Sequence, residues 1–337
     1  MPDGERNGSL RVLFATNMWP DPARPYYGSF IESQAISLRK LGMTVDILYV
    51  RGFQSKLAYV RGLEAIPRRL RRGSYNLLHV HYGHTLASSL LVNNTPIVAS
   101  FCGEDLLGAP RGDTITAKSR VEVAVFRRLA PSATRTITKS SEMEDVLPAP
   151  LRARNSIVPN GVDLERFQWR DTSAARRQLG WDPHGKVILF LGNPDDPRKN
   201  FTLARAAAAW VGARKPDTRL EVVWELPVAL VPTAMNAADI LAFPSRSEGS
   251  PNAVKEAMAS ELPIVATPVG DVPERLIGVD GCQVVEGGPE AFGEALLDGL
   301  SYKRAPAARA AISPLSTQRV AEQIAAIYHD AIDAYTS

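Results

Sequence analysis

The chain has 337 residues, of which 45% are hydrophobic and 22% charged, a composition typical of a globular protein with about two domains. Its formal net charge of +3 is too small to argue for nucleic acid, and no zinc-, RNA- or DNA-binding spacing is present. Two cysteines cannot form a disulfide framework, no apolar run reaches a membrane span, and the polar start Met1 to Ser9 lacks a signal-peptide core, so a cytoplasmic protein is expected.

Short apolar segments alternate with helical patterns, which predicts an α/β protein with parallel sheets. The first series contains six predicted strands: Arg11–Ala15, Val45–Val50, Leu77–Val80, Ile97–Phe101, Arg135–Thr138 and Ser156–Pro159. The second series contains five: Val187–Leu191, Leu220–Trp224, Ile240–Phe243, Pro263–Ala266 and Gln283–Val285. A stretch rich in proline and charge, Asp163 to Trp181, marks the expected domain boundary, and Thr317 to Tyr335 predicts a long closing helix.

The most informative segment is FPSRSEGSPNAVKEAMASELPIVATPVGD, in which Glu248 and Glu256 lie eight positions apart. It predicts a buried strand, a turn, and a helix over Asn252 to Ala259, with Ser250 as N-cap and Pro251 at the first helical position. A helix that begins just past a parallel strand directs free N–H groups toward the ligand crevice, where phosphate oxygens fit. Because carboxylates repel phosphates, the two glutamates are expected to bind hydroxyl groups.

This segment resembles the E-x7-E signature of glycosyltransferase family 4, whose members are retaining, nucleotide-sugar-dependent enzymes with the GT-B fold. Further stretches resemble the same family in the same order: Arg11 to Pro20 with Tyr27-Gly28-Ser29-Phe30, VPNGVDLERF at Val158 to Phe167, and LFLGNPDDPRKNFTLA at Leu189 to Ala204. The resemblance covers nearly the whole chain. It implies two doubly wound Rossmann-like domains that face each other across a deep cleft.

The resemblance also assigns roles to the domains. Residues 1–165 would form the acceptor-binding domain, residues 166–315 the nucleotide-sugar-binding domain, and residues 316–337 a helix that returns to the first domain. The base of the nucleotide stays open between UDP and GDP, and so do the sugar and the acceptor.

On the donor side, the resemblance places Lys199 and Arg198 on the leaving diphosphate, where negative charge builds in the transition state. Judged from the residues alone, a loop with the sequence PRK is more often an exposed loop whose two cations are solvated. Asn193 occupies a position where the family often has arginine, so Arg198 is expected to compensate. Glu248 would meet the transferred sugar and Glu256 the ribose hydroxyls. Backbone groups at the start of the predicted helix would contact phosphate or sugar, namely those of Gly249, Ser250, Pro251 and Asn252.

The acceptor side draws on the first domain. Gly28, expected on the donor side, and Ser29 precede a predicted helix, Phe30 to Leu41, which gives another helix start suited to anions. Many members of the family have histidine where this chain has Cys102, so that role cannot be transferred, and Cys102 is expected to be a neutral pocket residue or a small buried one. The remaining candidates for acceptor or sugar contacts are His81, Glu104 and Asp105.

No metal or cofactor is expected. The histidines of HVHYGH (His79, His81 and His84) have a spacing that could suit zinc, but no further ligand pattern follows. PDDP at Pro194 to Pro197 is not interpreted as a D-x-D site, and lysine and arginine are expected to replace Mg²⁺.

The interpretation favoured is a hexosyltransferase that works by front-face attack. Two alternatives stay open: a non-catalytic nucleotide-sugar-binding partner subunit, and a GT-B-like nucleotide-sugar epimerase. A basic stretch, Arg61 to Arg72, carries five arginines beside Leu63, Ile66 and Leu70. It is interpreted either as a solvated helix face or as a weak peripheral contact with the inner membrane leaflet.

Overall fold

A computed structural model describes residues 10–108, 110–111 and 114–337, with residues 110 and 111 described by their backbone alone. The predicted polar start at Met1 to Ser9 lies outside these residues. The described chain divides into two compact units. Unit 1 comprises residues 10–108, 115–161 and 317–337, and unit 2 comprises residues 110–111, 114 and 162–316.

Unit 1 is built on a six-stranded parallel sheet, whose strands are β1 Arg11–Thr16, β2 Thr44–Tyr49, β3 Leu77–His81, β4 Ile97–Ser100, β7 Arg135–Thr138 and β8 Asn155–Ile157. Their order in the sheet is β2-β1-β3-β4-β7-β8. The first strand, RVLFAT, is fully buried from its second residue onward, which is typical of a central strand covered on both faces. The strand order reverses between β1 and β3, and the carboxyl ends at such a point form a ligand crevice. The six predicted strands are confirmed. A separate two-stranded ribbon outside this sheet is formed by β5 Pro110–Arg111 and β6 Thr114–Ile115.

Helices connect these strands: α1 Ser29–Lys40, α2 Leu57–Gly73, α3 Gly83–Ala87, α4 Glu104–Leu107, α5 Ala117–Leu129, α6 Ser141–Asp145 and α7 Ala149–Arg152. The start of α1 requires glycine. Gly28 has φ 78°, and a Cβ atom on it would lie 2.6 Å from the carbonyl carbon of Met18. The backbone of the loop after β1 can therefore approach the first turn of α1 closely.

Unit 2 contains a five-stranded parallel sheet, whose strands are β9 Lys186–Leu191, β10 Thr218–Val223, β11 Ile240–Phe243, β12 Ile264–Ala266 and β13 Cys282–Val284. Their order in the sheet is β10-β9-β11-β12-β13, and it reverses between β9 and β11. The five predicted strands are confirmed. The helices are α8 Thr172–Leu179, α9 Phe201–Gly212, α10 Val231–Ala237, α11 Asn252–Ala259, α12 Val272–Leu276, α13 Pro289–Gly299 and α14 Pro306–Ile312.

The closing helix α15, Thr317–Thr336, belongs to unit 1 and packs against α1. Its buried face includes Val320, Ile324 and Tyr328. The Tyr328 hydroxyl lies 2.6 Å from Nδ1 of His79, which is fully buried on β3. Burial of this polar pair is tolerated because each group has a hydrogen-bond partner.

Candidate functional site

The strand order in unit 2 places the loops after β9 and β11 at the same edge of the sheet. Two contacts join these loops. The backbone N–H of Arg246 donates to the carbonyl oxygen of Arg198 at 2.7 Å, and Nζ of Lys199 lies 2.5 Å from Oε1 of Glu248. Residues 49 positions apart therefore form one surface.

Lys199 reaches this surface along the backbone of Gly192, just after β9. Gly192 has φ 151°, and a Cβ atom there would lie 3.5 Å from Cγ of Lys199. The ammonium group lies 5.7 Å from the centroid of the Phe243 ring. The Lys199 and Glu248 side chains are 26% and 20% exposed, so the pair is accessible to a ligand while its position is defined by packing.

Arg198 has a different arrangement. Its guanidinium group donates to both carboxylate oxygens of Asp196, at 3.1 and 2.7 Å. Asp196 also accepts the backbone N–H of Arg198, which caps a short 3₁₀ turn over Pro197–Lys199. Asn193 likewise supports the loop, because its Oδ1 accepts from the N–H of Asp195 at 2.9 Å. The idea that Arg198 compensates for Asn193 stays a prediction, and these contacts give Lys199 the greater weight.

Helix α11 is confirmed over Asn252–Ala259, but the predicted cap is wrong. Pro251, with φ −70° and ψ 125°, occupies the N-cap position, and within the described residues no side chain caps the helix. The reason is that the hydroxyl of Ser250 is used elsewhere. It donates to Oδ2 of Asp271 at 2.8 Å and accepts from Nζ of Lys255 at 2.9 Å. Ser250 therefore does not cap the start of α11.

Two buried residues that sequence reasoning missed hold this loop in place. Lys255 and Asp271 are each 1% exposed. Lys255 donates to the backbone carbonyl of Ser250 at 3.2 Å as well as to its hydroxyl, and Nε of Arg275 lies 3.0 Å from Oδ2 of Asp271. A buried lysine in the sequence KEAMA has no distinct signal, since it fits an ordinary helix surface equally well.

Gly270 allows this arrangement. It has φ 53°, and a Cβ atom on it would lie 2.2 Å from the carbonyl oxygen of Gly249 and 2.7 Å from that of Glu248. The N–H of Asp271 donates to the same Gly249 carbonyl at 3.3 Å. The backbone that carries Glu248 therefore packs directly on the loop that follows β12, and only glycine fits at position 270.

Glu256 lies on α11, one helical turn after Asn252. Burial raises the pKa of its carboxyl group to about 7, although the nearby Arg166 and Lys255 act in the opposite direction. A carboxylate in such a site gains from hydrogen-bond donors that stabilise its charged form. Ligand hydroxyl groups could supply them.

In unit 1, His81 lies at the end of β3 and is fully buried. Its ring stacks on that of His79 at 4.2 Å. Within the described part of the chain, neither of its ring nitrogens has a hydrogen-bond partner. Burial and the nearby Lys139 lower the pKa of His81 to about 3, so the ring is neutral at physiological pH.

Cys102 and Asp105 lie after β4. Burial, assisted by Asp105, raises the pKa of the Cys102 thiol, so it stays protonated and contributes no charge. Asp105 is 4% exposed and accepts the backbone N–H groups of Cys102 and Gly103, both at 3.0 Å, and of Gly83 at 3.2 Å. These bonds favour a structural role for Asp105. Glu104 is exposed, in the first turn of α4.

The histidine cluster does not have the geometry of a metal site. Nε2 of His79 lies 2.8 Å from the hydroxyl of Ser100, and His84 stacks on Tyr59 at 4.9 Å. Within residues 10–108, 110–111 and 114–337, no group of three or more histidine, cysteine, aspartate or glutamate side chains could hold a metal ion.

Family models match both units. The model described as "Glycosyltransferase Family 4" matches residues 11–166, and the model described as "Glycosyl transferases group 1" matches residues 214–301. Among curated relatives, TuaC of Bacillus subtilis (strain 168), named for teichuronic acid biosynthesis, is 24% identical over 78% of this chain and 82% of its own length. A D-inositol 3-phosphate glycosyltransferase of Segniliparus rotundus is 30% identical over 63% of this chain, but the match spans only 51% of that relative.

Solved structures give the same fold. Sucrose-phosphate synthase from Thermosynechococcus elongatus superposes with a TM-score of 0.81 at 15% identity, covering 96% of this chain and all 100% of the other. Anabaena HepE in complex with UDP superposes with a TM-score of 0.66 at 16% identity, covering 95% and 100% of the two chains. Two Rossmann-like units, each with a parallel sheet, together with these structural neighbours define the fold as GT-B.

The chain belongs to the glycosyltransferase family 4 type of GT-B glycosyltransferases. It is therefore a transferase.

The pKa of Glu256 predicts a pH dependence of stability. A folded-state pKa raised from 4.5 to about 7 means that the folded chain binds more protons than the unfolded chain between these values, so stability falls as pH rises through this window. Replacing Glu256 by glutamine removes that loss. Relative to wild type, Glu256→Gln should gain on the order of 3 kcal/mol in free energy of unfolding between about pH 4.5 and pH 7.5.

Urea unfolding at a series of pH values measures this difference. Glu294→Gln, at an exposed glutamate on α13, is the matched control and should follow the wild-type profile. Parallel profiles for wild type and Glu256→Gln would show that Glu256 is ionised in the folded chain as easily as in the unfolded one.

Proposed function

We propose that the protein is a retaining glycosyltransferase that moves a hexosyl-type unit from a nucleoside-diphosphate sugar to an acceptor hydroxyl group without a bound metal. The observation that carries this proposal is the joined pair of loops at the carboxyl ends of β9 and β11. There Lys199 pairs with Glu248 at 2.5 Å, directly before the start of α11. A cation and a row of helix N–H groups at one edge of a sheet suit a diphosphate.

The leaving diphosphate would bind to these groups as the bond between the anomeric carbon and the phosphate oxygen breaks. Lys199 would neutralise the charge that develops on it, assisted by Arg198 and the first turn of α11. Glu248 would then accept hydrogen bonds from hydroxyls of the transferred sugar, and Glu256 from those of the ribose. Positioned cations of this kind provide the charge that Mg²⁺ provides in other phosphoryl-group sites.

The acceptor hydroxyl would attack from the face that the diphosphate leaves, with a phosphate oxygen taking its proton. This route needs no protein nucleophile and keeps the anomeric configuration. It also fits a protonated, uncharged Cys102 at the position where many family members have histidine, because no side chain at that position has to act as the base.

We propose a UDP-linked donor rather than a GDP-linked one because structural neighbours have been solved with UDP or UDP-glucose. HepE of Anabaena has been solved in complex with UDP and with UDP-glucose, and TarM of Staphylococcus aureus in complex with UDP. The compounds in the relatives' names differ, since TuaC is named for teichuronic acid biosynthesis and the Segniliparus rotundus enzyme for D-inositol 3-phosphate. The acceptor of this chain is accordingly proposed only as a hydroxyl compound.

A thermal-shift screen of UDP, GDP, ADP and TDP tests the donor site. Saturating UDP should raise the melting temperature of the wild type by several degrees, since a ligand at about 100 times its Kd stabilises by about 2.7 kcal/mol. Lys199→Ala and Glu256→Ala should each remove at least about half of that shift, because a tenfold loss of affinity corresponds to about 1.4 kcal/mol.

Lys303→Ala, at an exposed lysine of unit 2, is the control and should leave the shift intact. The proposal fails if no nucleotide shifts the wild type, or if the two site variants shift as much as the control. A shift without any sugar transfer or nucleotide release would favour the non-catalytic partner subunit.

We also propose at most a weak peripheral contact between α2 and anionic lipid. Of the five arginines in Arg61 to Arg72, Arg68 lies 3.5 Å from Glu64 and Arg69 lies 3.9 Å from Asp46. All five arginines are exposed, and the three outside these two ion pairs are Arg61, Arg71 and Arg72. In the described part of the chain no helix is both long and apolar enough to cross a bilayer.

Flotation with vesicles tests this contact. A small bound fraction should appear with phosphatidylglycerol vesicles, and the triple change of Arg61, Arg71 and Arg72 to glutamine should lower it at least about twofold, since each surface cation contributes about 1 kcal/mol near an anionic membrane. Equal binding to anionic and zwitterionic vesicles would contradict a contact made by these arginines.

A further inference from the structure

The outermost strand of the unit 2 sheet has one edge that no other described strand covers. β10 pairs with β9 on one side and lies at the end of the strand order. Its register with β9 is continuous over six residues, so it has no bulge, and its sequence contains neither proline nor lysine. Bulges, prolines and lysines are among the features by which edge strands avoid pairing with another chain. The free edge of β10 is therefore suited to strand pairing.

Alternate residues of β10 direct their backbone groups toward this free edge. The carbonyl oxygen of Asp217, just before the strand, accepts from the N–H of Lys186 on β9 at 2.8 Å. Because the hydrogen-bonding sides of a strand alternate residue by residue, every second residue from Asp217 to Val223 faces β9. The N–H and carbonyl groups of Leu220 and Val222 accordingly face the free edge.

Two opposite charges lie on β10 between these residues. Arg219 and Glu221 share one face of the strand, and Nε of Arg219 lies 2.8 Å from Oε1 of Glu221. Their side chains are 28% and 29% exposed. Arg219 also donates to the backbone carbonyls of His184 and Asp182, at 2.8 and 2.9 Å. The guanidinium group is thus held in place on the strand next to a carboxylate.

The charges select both the partner strand and its register. When a second β10 runs antiparallel with Leu220 opposite Leu220, Arg219 of each copy lies opposite Glu221 of the other. The outward backbone groups of the two Leu220 residues then pair with each other, and the N–H of Val222 reaches the carbonyl of Thr218. Opposite charges directly across from each other stabilise a pair of strands.

Other registers are less favourable. A shift of the second copy by two residues would place Arg219 opposite Arg219, or Glu221 opposite Glu221, and like charges in these positions are destabilising. A shift by one residue would bring backbone groups that already bind β9 to the position of the outward ones. The sequence of β10 is therefore complementary to itself in one antiparallel register.

The same register covers apolar surface on the other face of the strand. Val222 is 40% exposed and would lie opposite Thr218 of the second copy. Both side chains are β-branched, and such side chains pack well across neighbouring strands. Pairing would therefore remove apolar surface from water on one face while it pairs charges on the other.

We propose that two copies of this chain associate through β10, antiparallel about a two-fold axis at Leu220, so that their five-stranded sheets form one continuous sheet. The same surface is used on both copies, as a closed two-fold dimer requires. Arg219 and Glu221 set the register and the choice of partner. This association does not depend on the donor or the acceptor of the reaction.

Sedimentation velocity over a range of protein concentrations measures this association on the full chain. The wild type should shift from the mass of one chain toward that of two. Arg219→Glu and Glu221→Arg should each weaken the association at least about tenfold, because symmetry places two pairs of like charges across the interface. Lys303→Glu and Glu294→Arg reverse charges at exposed positions of unit 2 outside β10 and are the matched controls.

A mixture of the two β10 variants separates pairing between copies from the ion pair within one copy. Arg219→Glu has only acidic groups at the two positions and Glu221→Arg has only basic ones. Each variant should therefore repel itself, and the two should bind each other about as strongly as the wild type binds itself. Thermal unfolding of each variant checks that it is folded.

Hydrogen exchange of the wild type, followed by NMR, tests the register without any substitution. The amides of Leu220 and Val222 should exchange at least about threefold more slowly as the protein concentration rises, because they become hydrogen-bonded in the dimer. The proposal is wrong if the wild type stays a single chain at every concentration, or if it associates while these amides exchange at an unchanged rate. It is also wrong if the folded β10 variants associate as the controls do, or if mixing them restores no association.

Discussion

The ion pair between Lys199 and Glu248 is the interaction on which the proposed donor site depends. It joins the loop after β9 to the loop after β11, at the point where the order of strands in unit 2 reverses. Each side chain alone would be an exposed loop residue of the kind whose contribution is small. Together they hold a cation and a carboxylate at fixed positions beside the start of α11. A diphosphate needs the cation, and sugar hydroxyls need the carboxylate as a hydrogen-bond acceptor.

The loop that carries Glu248 is in turn held by buried polar contacts. Lys255 and Asp271 both bind Ser250, and Gly270 lets the backbone of Gly249 pack closely. Such a network is stable only when each member has a partner, and it then allows little alternative geometry. Electrostatic stabilisation of a leaving group requires groups that are already in position before the reaction. The rigidity of this loop is thus part of how the site would work.

The strands and the long helices could be predicted from the sequence, because apolar runs such as VILFL and the glycine and proline positions define them locally. The family resemblance places Lys199 on the diphosphate and Glu248 on the transferred sugar, but it does not predict the ion pair between them, since nothing in the local sequence brings together residues so far apart. The cap of α11 was predicted wrongly because Ser250 is bound by a buried lysine and aspartate.

Calorimetric titration of UDP in a double-mutant cycle on Lys199 and Glu248 tests the central claim most directly. The account predicts that Lys199→Met weakens UDP binding at least about tenfold, while Glu248→Gln changes the UDP affinity clearly when Lys199 is present and little when it is absent. The coupling free energy should reach about 1 kcal/mol or more. Effects of the two substitutions that add within about 0.5 kcal/mol, or a Lys199→Met variant that binds UDP as the wild type does, would contradict it.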